Sequence, residues 1–274
     1  MATPTGNAPH QDPRSPRPPV RGLGAAMITG ATAGIGHAFA EELAARGHDL
    51  VLVARDEARL HQVADDLASR FAVTAEVLAA DLSDRAAVDR VAERLSDPQR
   101  PIDLLINNAG FGLKKPFVVN DVADEQAMLD VLVVAVMRLS HAALATMSSR
   151  GRGGIINVSS VAAFLPRGTY SAAKAWVNSF SRWAAAEYAD RGVHVMALCP
   201  GFVRTEFHGR MGVSRSSAPD YLWLEAAPLV QAALADFEAG KSLSVPSKRY
   251  KAITWGARAI PTGALQRFSS LGRR

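Results

Sequence analysis

The stretch "AAMITGATAGIGHAF", residues 25–39, decides the fold. Its first six residues, "AAMITG", read as a short buried strand, and "GHAFAEELAARG" (36–47) reads as a helix that ends in glycine. Between them lie Gly30, Gly34 and Gly36. Glycines permit a tight turn and let a backbone approach a pyrophosphate, while the helix N-terminus offers unpaired amides and the positive end of a dipole. In this strand–turn–helix context the turn reads as a dinucleotide phosphate site rather than a merely tight turn, with Gly30, Thr32, Ala33, Gly34, Ile35 and Gly36 as the candidate binding residues.

The same alternation continues outward from that turn. Strands are predicted at "DLVLVAR" (49–55), "VTAEVLAADL" (73–82), "IDLLINNAG" (102–110), "GGIINVSS" (153–160) and "GVHVMALCPG" (192–201). Helical patterns separate them at 56–71, 84–96, 122–149 and 170–190. Near-continuous Val/Ile/Leu strands alternating with helices predict an α/β fold, a single-domain doubly wound parallel sheet flanked by helices. Ligands of such sheets sit beyond the carboxyl ends of the strands.

The chain has 274 residues, 48% of them hydrophobic, and divides into three parts. Residues 1–22 are Pro-rich without an apolar run and read as a disordered tail rather than a signal peptide. Residues 23–245 form the folded domain, and 246–274 a basic helical extension. No stretch reads as long and apolar enough to span a bilayer. The net charge of +5 is misleading: three basic residues and one acid lie in 1–22, and eight basic residues in 241–274. The remaining body carries 20 basic against 25 acidic side chains, which argues against a nucleic-acid-binding core. One cysteine, Cys199, excludes an intramolecular disulfide and fits a reducing compartment, so a cytoplasmic location is expected.

The second strand ends "LVLVAR", placing Ala54 and Arg55 where a ribose-binding acid would stand; Asp56 comes too late. An arginine there would bind a 2′-phosphate through charge-assisted hydrogen bonds, so NADP(H) is expected over NAD(H). After the third strand, Asp81, with Leu82 beside it, could meet the adenine or simply cap the next helix. "NNAG" (107–110) closes the fourth strand with small polar residues, and Asn107, Ala109 and Gly110 suit a backbone lying against the cofactor.

"SSVAAFLPRGTYSAAK" (159–174) carries the chemistry. Tyr170 and Lys174 are four residues apart on one helix face. A free phenol titrates near ~10 and is a poor acid or base at neutral pH, and a neighbouring ammonium would lower that value. Alternation along "IINVSS" sends Ser159 and Ser160 to opposite faces, so one hydroxyl reaches the cleft.

The ordered set of T-G-x-x-x-G-x-G at 29–36, N-N-A-G at 107–110, a serine ending the fifth strand, Y-x-x-x-K at 170–174 and P-G at 200–201 strongly resembles the short-chain dehydrogenase/reductase family, over roughly residues 24–245. The resemblance implies a Rossmann fold, a nicotinamide cofactor and reversible hydride transfer between it and a carbonyl or alcohol carbon. By position Tyr170 would be the general acid/base, Lys174 would lower its pKa and hold the nicotinamide ribose, and Ser160 would hydrogen-bond the substrate oxygen. Pro200, Gly201, Val203 and Thr205 would run along the nicotinamide carboxamide. Residues 206–226 would form a substrate lid, with Phe207, Met211, Tyr221 and Trp223 as an apolar wall or a plain surface loop. A homodimer or homotetramer through the helices 122–149 and 170–190 is implied. One departure stands out: Leu132 takes the place of an asparagine that, in many family members, bends the long helix and holds a relay water. Protons must then reach Lys174 by another path, or turnover is slow.

In the extension, Tyr250, Ile253, Ala257 and Ile260 recur at helical spacing, with Lys248, Lys251 and Arg258 elsewhere around the helix. A helix packed on its own domain or a subunit partner is favoured over contact with an anionic membrane surface or a cover over an apolar substrate. The expected partner is a small, fairly apolar carbonyl or alcohol. The rival function is a nucleotide-sensing protein with weak catalysis; a sugar epimerase is disfavoured by the short C-terminal region.

Overall fold

The computed structural model describes residues 24–205 and 219–259. The Pro-rich tail, Phe207, Met211 and Ile260 lie outside the described residues. Among the described residues, seven strands form one wholly parallel sheet in the order β3-β2-β1-β4-β5-β6-β7. They are β1 (Ala25–Thr29), β2 (Leu50–Ala54), β3 (Ala75–Ala79), β4 (Ile102–Asn107), β5 (Gly153–Val158), β6 (Val193–Leu198) and β7 (Leu243–Ser244). The helices are α1 (Gly34–Ala45), α2 (Glu57–Phe71), α3 (Arg85–Ser96), α4 (Val122–Leu129), α5 (Val136–Arg150), α6 (Thr169–Glu187), α7 (Ala226–Glu238) and α8 (Lys248–Ala259). Helix α7 and the two-residue β7 are additions to the pattern read from sequence.

Successive strand residues serve opposite faces, as the strand period of two requires. Ile28, Leu52 and Ile106 join Phe39, Leu43, Leu60, Leu67, Val230 and Leu234 in one core. Met27, Val51, Val53 and Leu105 join Val91, Leu95, Leu139 and Met147 in the other. Each such large apolar side chain contributes about 1.5–3 kcal/mol on burial. Asp56 caps α2 by accepting from the Arg59 amide at 3.0 Å, and Asp84 caps α3 through the Ala87 amide at 3.0 Å. Each cap stabilises by about 1 kcal/mol. Asp81 is therefore not the cap of α3.

Helices α4 and α5 run on through a π turn at Asp130–Ala135. The resulting 29-residue helix, Val122–Arg150, contains an 18-residue window of mean hydropathy 1.7, long and apolar enough to cross a membrane, which corrects the expectation that no such segment exists. Its apolarity has a local cause: 56% of that window is buried, with Val131, Leu139, Ala143 and Met147 packed on the sheet. The π turn surrounds Leu132, so the helix is distorted there without an asparagine.

Candidate active site

The carboxyl ends of β1 and β4 are locked together. The Thr29 hydroxyl donates to the Ile106 carbonyl and accepts from the Asn108 and Ala109 amides at 2.9 and 3.0 Å. The Asn108 side chain donates to the carbonyls of Thr29 and Gly30 at 2.9 and 3.3 Å, fixing the glycine turn from behind. Asn108 was not singled out by sequence, although the N-N pair signals it. Asn107 points the other way: its amide donates to Ser140 Oγ and Asn157 Oδ1 at 3.1 and 2.8 Å inside the core.

The turn itself fits a dinucleotide phosphate. Gly30 and Gly34 have φ of +69° and +57°, where side chains are strained. A Cβ on Gly36 would collide with the Gly30 carbonyl and the Asn108 amide. The α1 N-terminus has Ala33 at the cap position, no side-chain cap and no acid in its first turn, so its amides are open to an anion. Thr32, Gly34, His37 and Arg59 line an open hollow of about 390 Å³ beside it. Thr205 lies over the turn, its methyl 2.9 Å from where a Gly34 Cβ would stand. Ile35 instead packs against the core.

Arg55 stands beyond β2 with its side chain 71% exposed, 4.0 Å from Asp81. Partial burial acts to raise the Asp81 carboxyl, but the Ser83 amide and hydroxyl, with Arg55, hold it below the usual carboxylate range. Leu82 sends its side chain into the core. A cofactor could therefore be held by the glycine turn, Arg55, Asp81 and the backbone of 108–110.

The serine pair divides as strand alternation requires. Ser159 is buried and its hydroxyl donates to the Lys174 carbonyl at 2.9 Å. Ser160 faces the cleft, accepts from the Ala162 amide at 3.1 Å and hydrogen-bonds the Tyr170 phenol. Lys174 is 5% exposed, and its ammonium donates to the Val158 carbonyl at 2.7 Å, 5.8 Å from the Tyr170 ring centre. Tyr170 keeps part of its surface open to the cleft but is densely surrounded. Desolvation pushes its phenol up to about 12, against a smaller downward pull from Ser160. Burial likewise pushes Lys174 down to about 8. The net direction for Tyr170 is therefore upward, against the lowering expected of a neighbouring ammonium, because desolvation is the larger cause. The phenol is thus protonated at neutral pH, the form that donates a proton.

Gly110 closes the other side. A Cβ there would lie 2.7 Å from a Leu132 methyl and 3.9 Å from the Lys174 ammonium, so Leu132 fills the space beside the lysine. Phe111, Leu113, Leu129 and Tyr170 pack around buried Met128, Leu132 and Ala173 as an apolar wall.

Past β6, the Pro200 carbonyl accepts from the Val161 amide at 3.0 Å, and Val203 is 2% exposed, bridging to Leu224. Tyr250 of α8 stacks so closely on Gly201 that a Cβ there would strike its ring. Its hydroxyl accepts from the Phe202 amide at 3.0 Å and donates to the Leu222 carbonyl at 2.8 Å. The described part of the extension is therefore a helix packed on its own domain. Trp223 packs on Phe202 with ring centres 5.4 Å apart, while Tyr221 is 61% exposed.

A family model described as short chain dehydrogenase matches residues 24–214. The very-long-chain 3-oxoacyl-CoA reductase of Anas platyrhynchos is 35% identical over 209 residues, 73% of this chain and 64% of that protein. The inactive hydroxysteroid dehydrogenase-like protein 1 of Homo sapiens is 34% identical over 186 residues, 66% of this chain and 56% of that one. The chain thus spans about three-fifths of the length of these relatives. A short-chain dehydrogenase from Sphingobium yanoikuyae, in complex with NADPH, superposes with a TM-score of 0.81 at 36% identity, covering 90% of this chain and 96% of that one.

Proposed function

Because the chain belongs to the short-chain dehydrogenase family, we propose that it is an NADP(H)-dependent oxidoreductase that interconverts an apolar ketone or aldehyde and the corresponding alcohol. The observation that carries the reading is the meeting of Ser160, Tyr170 and Lys174 beside the glycine turn, at the carboxyl edge of the sheet. When bound, the nicotinamide cofactor supplies a hydride to the carbonyl carbon or accepts one from the alcohol. Ser160 holds the substrate oxygen by a hydrogen bond. In reduction the Tyr170 hydroxyl gives its proton to that oxygen as negative charge develops there, and in oxidation the phenolate takes it back. The Lys174 ammonium stabilises the phenolate, recovering part of what desolvation costs.

Preference for NADP(H) is supported by Arg55 at the end of β2 and by the NADPH bound to the structural relative. The apolar wall of Phe111, Leu113 and Leu129 favours an apolar substrate. Cys199 is buried, its thiol donating to Asn178 Oδ1 at 3.2 Å, which suits a reducing, cytoplasmic setting. Pairing of two copies through α5 and α6 is supported by Met137 and Trp183, 44% and 53% exposed on those helices.

The test is NADPH oxidation over a panel of ketones and aldehydes, with Tyr170→Phe alongside. The wild-type chain turns over, and the variant binds NADPH equally while kcat falls by about 10²–10⁴. A variant as active as the wild type overturns the assignment. A second reading, nucleotide binding with little turnover, is favoured by Leu132 beside Lys174 and by the inactive human relative. Tight NADPH binding without turnover on the whole panel would support it.

A further inference from the structure

A buried carboxylate that this chemistry does not use stands next to it. Glu125, on α4, is 5% exposed. One oxygen accepts from the Asn120 side-chain amide at 2.7 Å, the other from the Thr169 hydroxyl at 2.6 Å. Taking a carboxylate out of water is expensive unless it is hydrogen-bonded, so these bonds define where Glu125 can sit. Thr169 is the first residue of α6 and the neighbour of Tyr170 in sequence. The residue before it, Gly168, has φ of +91° and no side chain, so α6 begins without a side-chain cap of its own. Negative charge is favoured at a helix N-terminus. Asn120, on the other side, also donates to the Lys115 carbonyl at 3.2 Å, closing the segment that runs from the cleft wall at Phe111 and Leu113 into α4.

We infer that Glu125 is a positioning residue: its carboxylate ties the 111–121 wall of the cleft to the first turn of α6 and thereby sets the Tyr170 phenol against Ser160. The inference rests on the proposed acid–base role of Tyr170. A displacement of the order of 1 Å at a reacting group costs up to about a hundredfold in rate, so the bond to Thr169 should be visible in kcat.

The experiment compares Glu125→Ala, Glu125→Gln and Thr169→Val in the full chain with NADPH. Glu125→Ala and Thr169→Val are each expected to lower kcat by about tenfold or more while the KM for NADPH stays within about twofold. Because they cut the same bond, the double variant should be no worse than the more impaired single one. Glu125→Gln, whose amide oxygen can still accept from Thr169, should keep kcat within about threefold of wild type. Without cofactor or substrate, amide exchange in residues 168–173 should quicken in Glu125→Ala while the central strands keep their protection. Unchanged kcat and exchange in Glu125→Ala, exchange quickened evenly across the sheet, or a Gln variant as impaired as Ala would each overturn the inference. Should Glu125→Ala not fold, Thr169→Val alone decides. If Tyr170→Phe keeps full turnover, the assigned reaction fails instead, and local exchange still tests the tie between Glu125 and α6.

Discussion

At the end of β2, Arg55 is exposed and lies 4.0 Å from the Asp81 carboxylate, a pairing worth little to stability. Its value in the proposed reaction is to a 2′-phosphate. Arg55→Ala should therefore lower the NADP-over-NAD ratio of kcat/KM by roughly ten- to hundredfold, the equivalent of about 1.5–3 kcal/mol for a charge-assisted hydrogen bond, and leave the melting temperature unchanged. Steady-state kinetics with both cofactors checks it, and an unaltered ratio refutes the role. The residue types of the site were legible in the sequence: the Tyr170–Lys174 spacing follows from helix geometry, and the division between Ser159 and Ser160 from strand alternation. What the sequence misjudged was the sign of the Tyr170 shift. Desolvation comes from every atom packed around a group, and no local spacing encodes that sum. Asn107 and Asn108 show the same limit, since which of two adjacent amides pins the turn depends on the strand's facing.

Helix α8 illustrates what an element can and cannot announce. Its amphipathic spacing was readable, and its basic residues left a membrane surface open as a partner. Its Tyr250 lies on Gly201, 4% exposed, with its hydroxyl bonded to the Phe202 amide and the Leu222 carbonyl. This places α8 as a strut behind the segment of Pro200, Gly201 and Val203. Tyr250→Phe should cost about 1 kcal/mol by removing those bonds. Tyr250→Ala should cost about 3 kcal/mol or more by emptying the site. Urea denaturation measures both, and wild-type stability in the Ala variant would show that α8 is not a strut. Helix α7 and β7 escaped the sequence reading for separate reasons. A two-residue strand is too short to show a period, and α7 follows directly on a segment that reads as a loop.

Across the whole molecule, the sheet's two faces are filled by α1, α2 and α7 on one side and α3, α5 and α6 on the other, which leaves the outer side of α6 bearing aromatic residues. Trp176 stacks on Phe180 at 5.0 Å and Phe180 meets Trp183 at 5.8 Å, with Trp183 half exposed. For the proposed pairing of copies, Trp183→Glu should shift the chain from an oligomer to a monomer in light scattering at micromolar concentration, because an interface core does not accept an unpaired charge. A wild-type chain that is already monomeric sinks that pairing. The sequence by itself determined the parallel doubly wound sheet, the glycine turn and the Ser–Tyr–Lys set, because hydrophobic period, turn chemistry and helical spacing are local properties of the chain. Only the tertiary structure decided that the phenol is raised, that Leu132 fills the space beside Lys174, that Glu125 reaches Thr169 and that Tyr250 braces Gly201, because each depends on side chains brought together from distant elements and on the water their packing excludes.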